Sequence, residues 1–139
     1  MNVKRYVISV IAVFVFVFAY EFLVHGYLLK CIYEQTAELW RSHEEHKMIF
    51  ILLSYICFAA VAAYIFTCNY EGKGIGEGAR FGLYIGLLLG SVEIGTYSYL
   101  PISLILMVSW VAAAILKGVG SGIVLSLTYK NRAPVAQTD

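Results

Sequence analysis

The sequence predicts an all-α fold, an integral membrane four-helix bundle, and three observations carry that expectation. The 139 residues are 60% hydrophobic and only 14% charged, whereas soluble domains run at about 45–50% and about 25%. Four segments are long enough and apolar enough to cross a bilayer, which takes about 20 residues each. Glycine recurs every fourth residue through one of them, the pattern by which membrane helices pack closely. A formal net charge of +1 offers no basic stripe for phosphates, so no nucleic-acid partner is expected. With two prolines and no linker-like stretch, the chain reads as a single domain.

The four spans are expected over residues 6–29, 48–68, 80–100 and 102–129. In the first, VFVFVFAYEF alternates phenylalanine with smaller residues as a strand would. Its intervening positions are apolar too, so length decides for a membrane helix. Lys4 and Arg5 before this run look like the start of a signal peptide. No A-x-A-like site follows, however, and the segment reads as an uncleaved helix. Lys4, Arg5, Lys73, Arg80, Lys130 and Arg132 fall on one side of the bundle, against Lys30, Arg41 and Lys47 on the other. The positive-inside rule then puts both termini in the cytoplasm and the loop 30–47 outside.

In that loop, Ile32, Tyr33, Ala37, Leu39 and Trp40 form an apolar stripe opposite Glu34, Glu38 and Arg41, which predicts a short interfacial helix. Ser42 and Glu45 have capping-box spacing at the entry to the second span. His43 to His46 spell H-E-E-H, but the zinc-protease motif needs histidines four apart on one helical face. A solvated helix start is the plainer reading. The three cysteines, Cys31, Cys57 and Cys68, have neither disulfide nor zinc spacing. Between the second and third spans, Glu71, Glu77 and Arg80 read as a solvated pairing in the loop. The third and fourth spans are expected to form a hairpin turning at Pro101, and residues 130–139 a cytoplasmic tail.

The glycine zipper comprises Gly78, Gly82, Gly86 and Gly90 in the third span, preceded by Gly72, Gly74 and Gly76. Gly118, Gly122 and Ser126, with Ala114 a turn earlier, are its expected counterpart in the fourth. A nucleotide-binding reading of these glycines would require a βαβ context, and no strand precedes them. The second span offers Ala59, Ala63 and Thr67. Together these small-residue faces exceed what one bundle is expected to bury.

Four ionisable side chains interrupt the spans. By the helical rise, Glu21 lies about 22 Å up the first helix and Glu93 roughly 20 Å up the third, so the two are placed at similar depth. His25 follows Glu21 by one turn, as Tyr97 follows Glu93. Glu93 also falls within roughly 20° of Gly86 on the helical wheel, toward a neighbouring helix and away from lipid. Glu21, His25, Glu93 and Tyr97 are therefore expected to gather as one intramembrane polar cluster, read first as a hydrogen-bonded clasp between helices. The alternative is a proton or cation site, with His25 a candidate protonated partner. A metal site is thinly supported, since the Glu-x-x-His pattern of di-iron bundles is missing. Lys117 is placed roughly 14 Å deeper than Glu93 and is expected to snorkel to the cytoplasmic interface.

FLVHGYLL (22–29), TAELWR (36–41) and YEGKGIGEGARFGLYIG (70–86) resemble small four-helix bacterial inner-membrane proteins, close in layout to the DUF1761-like families. The resemblance implies a bacterial inner membrane and four spans, and brings no activity or catalytic residue with it. The leading expectation is thus a non-enzymatic membrane protein acting by packing, as an accessory subunit of a larger complex or a homo-oligomer. Its partners would be the lipid bilayer and other membrane subunits or itself. A bare aromatic face on the first helix (Phe14, Phe16, Phe18, Phe22) would meet lipid or such a partner. The alternative is a small proton- or cation-handling transporter or channel. No catalytic residue, cofactor or metal is assigned.

Overall fold

The computed structural model of the chain describes residues 2–42 and 45–129, and every regular element among them is a helix. α1 (Val3–Leu23) continues into a π-helical turn, Val24–Leu28. α2 (Lys30–Glu34) and a 3-10 turn (Ala37–Leu39) then form the first connection. α3 (Met48–Cys68), α4 (Ile75–Thr96) and α5 (Leu104–Thr128) complete the chain. Side-chain caps open α1 and α5: Arg5 N donates to Asn2 Oδ1 at 3.1 Å and Leu106 N to Ser103 Oγ at 3.2 Å. Each satisfies a backbone donor that the first helical turn leaves orphaned.

Among the described residues, three helical stretches are long and apolar enough to cross a membrane: Val3–Leu28, Met48–Cys68 and Leu104–Thr128. α4 has comparable length, 22 residues, but its glycines, with Arg80 and Glu93, dilute its hydropathy below theirs. It also starts earlier than expected, at Ile75 rather than Arg80. α3 begins with Lys47 as its N-cap and no side-chain bond there. The expected Ser42–Glu45 box does not open this helix. Glu45 N instead donates to the Ser42 carbonyl at 3.0 Å, a turn complete before the helix starts. The expected interfacial helix is broken into α2 and the 3-10 turn. The tail 130–139 and the His43–Glu44 half of H-E-E-H lie outside the described residues.

α5 is the central element. α4 packs along one side of it and α1 along another, while α3 lies mainly against α1. The α4–α5 contact is backbone on backbone. A Cβ on Gly78 would fall onto the Gly122 carbonyl, and one on Gly82 onto the Gly118 carbonyl. One on Gly86 would stand 2.6 Å from Ile115 Cα. Gly90, at the loosest end, faces Val111 Cγ1 at 3.3 Å. The α4 glycines thus meet α5 in antiparallel register, glycine on glycine at Gly78–Gly122 and Gly82–Gly118, and on Ile115 and Val111 at Gly86 and Gly90. The other small residues are used within the chain as well: Ala59, Ala62 and Ala63 are buried with Val13 and Val17 in the core that joins α1, α3 and α5. Most of the small-residue faces are thus used within the chain, whereas Gly74 and Gly76 meet nothing within 4 Å and Thr67 stays partly exposed.

The aromatic face of α1 is likewise divided. Phe14 and Phe16 are partly buried against the core, with Phe16 filling the space over Gly120, whereas Phe18 and Phe22 are exposed. All three cysteines are exposed.

The loop before α4 is organised by a side chain that the sequence reading left in solvent. Glu77, in the first turn of α4, is only 5% exposed. Its two carboxylate oxygens accept from Glu71 N at 2.6 Å and Lys73 N at 2.7 Å. Gly72 (φ +76°) and Gly74 (φ +72°) supply the left-handed backbone that wraps the loop around it. The negative charge also sits where the α4 dipole favours it. Glu71 does make the expected surface pair with Arg80, and a second with Lys73.

Gly82→Ala and Gly118→Ala each drive a methyl into the facing backbone and should lower stability in detergent by about 1–3 kcal/mol on thermal unfolding. Gly76→Ala and Gly95→Ala meet nothing within 4 Å, and should raise it by roughly 0.5–1 kcal/mol. Equal effects at all four positions would rule out the close contact. A second expectation concerns pH. The Lys73 and Arg80 side chains bonded to Glu71 hold its carboxyl below the ordinary carboxylate range. Their contribution is present above that range and lost as the pH falls through and below it. Amide exchange in the loop 69–74, corrected for intrinsic rate, should therefore accelerate on acidification, and Glu71→Gln should flatten the response.

Candidate functional site

The register of α1 on α5 decides which charges meet. Phe16 sits over Gly120, and Tyr20 donates its hydroxyl to the Ala113 carbonyl at 2.9 Å. Those two antiparallel contacts bring Lys117 alongside Glu21. Lys117 Nζ stands 2.6 Å from Glu21 Oε1, with exposures of 23% and 12% for the two side chains. Lys117 does not snorkel to an interface. Its expected depth below Glu93 agrees with the α4–α5 register, in which Gly90 faces Val111 and Gly82 faces Gly118. What fails is the level placement of Glu21 with Glu93, because α1 is staggered on α5, with Ser9 beside Thr128 and Phe16 over Gly120. The ammonium also lies 5.9 Å from the centroid of the Phe58 ring on α3, within cation–π range.

The second oxygen of Glu21 faces His25. Their separation, Nε2 to Oε2, is 3.2 Å. The π-helical turn beginning at Val24 carries His25, and its closing bond runs from Leu29 N to the Val24 carbonyl at 2.9 Å. Such single π turns inside α-helices recur at functional sites. On the far side of the imidazole, Nδ1 lies 2.6 Å from the Tyr33 hydroxyl of α2. Trp110 Nε1 of α5 donates to that same hydroxyl at 2.7 Å. Trp40 closes the group, edge-on to Tyr33 with 5.4 Å between centroids and 6.1 Å from Trp110. Burial pushes the Tyr33 phenol up to about 12, against the opposing pull of the Trp110 hydrogen bond. Tyr33 is therefore a neutral hydroxyl at any working pH.

These residues wall a cavity of about 270 Å³, lined by Glu21, His25, Tyr33, Glu93, Trp110, Ala113, Ala114 and Lys117. The structure thus brings Glu21, His25 and Glu93 to one place. It does not bring Tyr97, which follows the last residue of α4, is 40% exposed and does not line the cavity. The tyrosine of the site is Tyr33. Glu93 reaches the wall from α4 but makes no hydrogen bond or ion pair with the other side chains among the described residues. Two carboxylates and one ammonium therefore share the cavity with a histidine. No group of three or more His, Cys, Asp or Glu spaced to hold a metal ion occurs among the described residues.

Three residues of the site escaped the sequence reading. Tyr33 was placed in an apolar stripe, Lys117 at an interface, and Trp110 was given no role. The available signal was Lys117 itself, a cation within an apolar span, for which a carboxylate partner is the usual compensation. No family model matches this chain, and no curated protein or solved structure matches it.

Removing one member of the Glu21–Lys117 pair strands the other in the bundle. Glu21→Gln or Lys117→Met alone should each cost about 3–5 kcal/mol in detergent, while the double variant should recover most of that loss. A double-mutant cycle with additive effects would show that the pair is uncoupled.

Proposed function

We propose that the chain is a multi-pass, non-enzymatic protein of the bacterial inner membrane that takes up and releases protons at this cavity, working as a small transporter or channel in an oligomer. Three apolar helices support the membrane assignment. α4 lies backbone to backbone along α5 over Gly78–Gly90, so a bilayer that holds α5 would hold α4 too. That makes four spans, and the distribution of Lys and Arg then favours cytoplasmic termini. The resemblance to small four-helix inner-membrane proteins supports the bacterial assignment.

One observation carries the proton reading: two carboxylates face a single ammonium in a cavity walled by membrane helices. Lys117 compensates Glu21. Glu93 has no hydrogen-bond or ion-pair partner among the described residues, so with Lys117 and Glu21 both charged a proton on Glu93 makes the cavity neutral and its loss leaves it at −1. A charge change of that kind inside a bilayer is costly unless it is used, and intramembrane carboxylates commonly mark proton pathways. The competing expectation, an accessory subunit held by small-residue faces, has less support. The larger part of those faces, Gly78 to Gly86 against α5 and Ala59 to Ala63 in the core with α1, is occupied within the chain. A four-helix unit is small for alternating access, which favours an assembly of more than one copy.

Purified protein in liposomes carrying an internal pH dye tests this. An imposed pH gradient should collapse faster than in empty vesicles, and Glu93→Gln should return the rate to that of empty vesicles while leaving the protein folded. Wild-type flux equal to that of empty vesicles, with foreign subunits co-purifying at fixed stoichiometry, would replace this reading with the accessory one.

A further inference from the structure

Donor and acceptor arithmetic along the outer wall of the cavity fixes a proton position. The indole Nε1 of Trp110 can only donate. At 2.7 Å from the Tyr33 hydroxyl, it makes the Tyr33 oxygen an acceptor. The hydroxyl proton of Tyr33 then needs an acceptor of its own, and the atom at hand is His25 Nδ1, 2.6 Å away. An Nδ1 that accepts carries no proton. The single N–H of a neutral imidazole must then be on Nε2, which lies 3.2 Å from Glu21 Oε2. Every step of Trp110, Tyr33, His25 and Glu21 is satisfied in that one direction.

A doubly protonated His25 breaks the sequence. Its Nδ1–H would donate to the Tyr33 oxygen, which already accepts from Trp110. The Tyr33 proton would then have to leave His25 Nδ1, its one acceptor among the described residues. Leaving this half-buried hydroxyl without a protein acceptor is unfavourable. The charged and titratable groups around the imidazole come from four elements: Glu21 on its own helix, Tyr33 on α2, Glu93 on α4 and Lys117 on α5.

We infer that Tyr33 and Trp110 are positioning residues that lock His25 as its neutral Nε2–H tautomer, a fixed donor to Glu21. The inference rests on the proton-handling reading for its significance, and it changes how that reading works. His25 is not the group that gains the proton. The hydrogen-bonded row ends on an indole that cannot pass a proton on, so the outer end of the row is closed. Exchange then falls to Glu93 and the open volume of the cavity.

Protein labelled with 15N in its histidine rings, embedded in lipid bilayers, gives the test by solid-state NMR. His25 is identified as the signal pair lost in His25→Asn. The expected spectrum at neutral pH has Nδ1 unprotonated and hydrogen-bonded, with Nε2 protonated. In Tyr33→Phe the Nδ1 signal should shift to the position of a free imidazole nitrogen, and the second tautomer should appear. In Trp110→Phe, where Tyr33 can reorient, the Nδ1 signal should broaden between two positions. A proton on Nδ1 in the wild type, alone or together with Nε2, overturns the inference and needs no variant to fold. An unchanged Nδ1 signal in Tyr33→Phe also overturns it. Failure of Glu93→Gln to alter proton flux would sink the functional reading and leave this spectrum untouched.

Discussion

The close approach of α4 and α5 is the constraint on which the rest depends. With glycine facing glycine, the two backbones meet where side chains would otherwise hold them apart. Dispersion between the two backbones replaces the hydrophobic drive that is missing between helices in lipid. α1 then has only the other side of α5 to pack on, and it does so with bulky residues, Phe16 over Gly120 and Tyr20 on the Ala113 carbonyl. One contact of α5 is thus tight and the other wide. The cavity lies among α1, α4 and α5, walled on one side by Glu93 and on the other by Glu21 and His25.

What goes into that space follows from the cost of charge in a low-dielectric setting. Glu21 is held from two directions, by an ammonium on one oxygen and an imidazole N–H on the other. A carboxylate so enclosed is an anchor: it fixes α1 to α5 and orients the histidine. Glu93 has no such enclosure. The two acids, superficially alike in the sequence, have different environments, and the difference assigns them different work. The aromatic group of Tyr33, Trp40 and Trp110 adds a rigid cap made from the first connection and α5, joined by one shared hydroxyl.

Helices and their packing faces were largely legible in the sequence, because both rest on periodicity. The 3.6-residue repeat placed Gly78, Gly82, Gly86 and Gly90 on one stripe, and the same phase put Glu93 on the inner face of its helix. The vertical alignment of α1 on the other helices was not legible. Depth counted from helix ends supposes that the ends are level. Here the first connection folds back as α2 and a 3-10 turn, and α5 starts at Leu104. A stagger of a few residues was enough to turn Lys117 from an isolated interfacial cation into the partner of Glu21. Tyr33 and Glu77 were missed for a related reason. Their partners, an imidazole brought round by a π turn and two backbone N–H groups of a glycine loop, are set by local geometry that hydropathy does not encode.

The π turn over Val24–Leu28 carries one more residue than an α turn of the same rise. At 3.6 residues per turn, one residue is about 100° of rotation. The insertion therefore acts as a phase shifter: everything after it, beginning with α2, is swung by more than a quarter-turn relative to α1. Without that rotation Tyr33 would face a different sector of the bundle, away from His25 and Trp110. A single-residue deletion within this turn would shorten the chain by less than one per cent of its length and yet part Tyr33 from Trp110, which stays on α5 at the cavity wall.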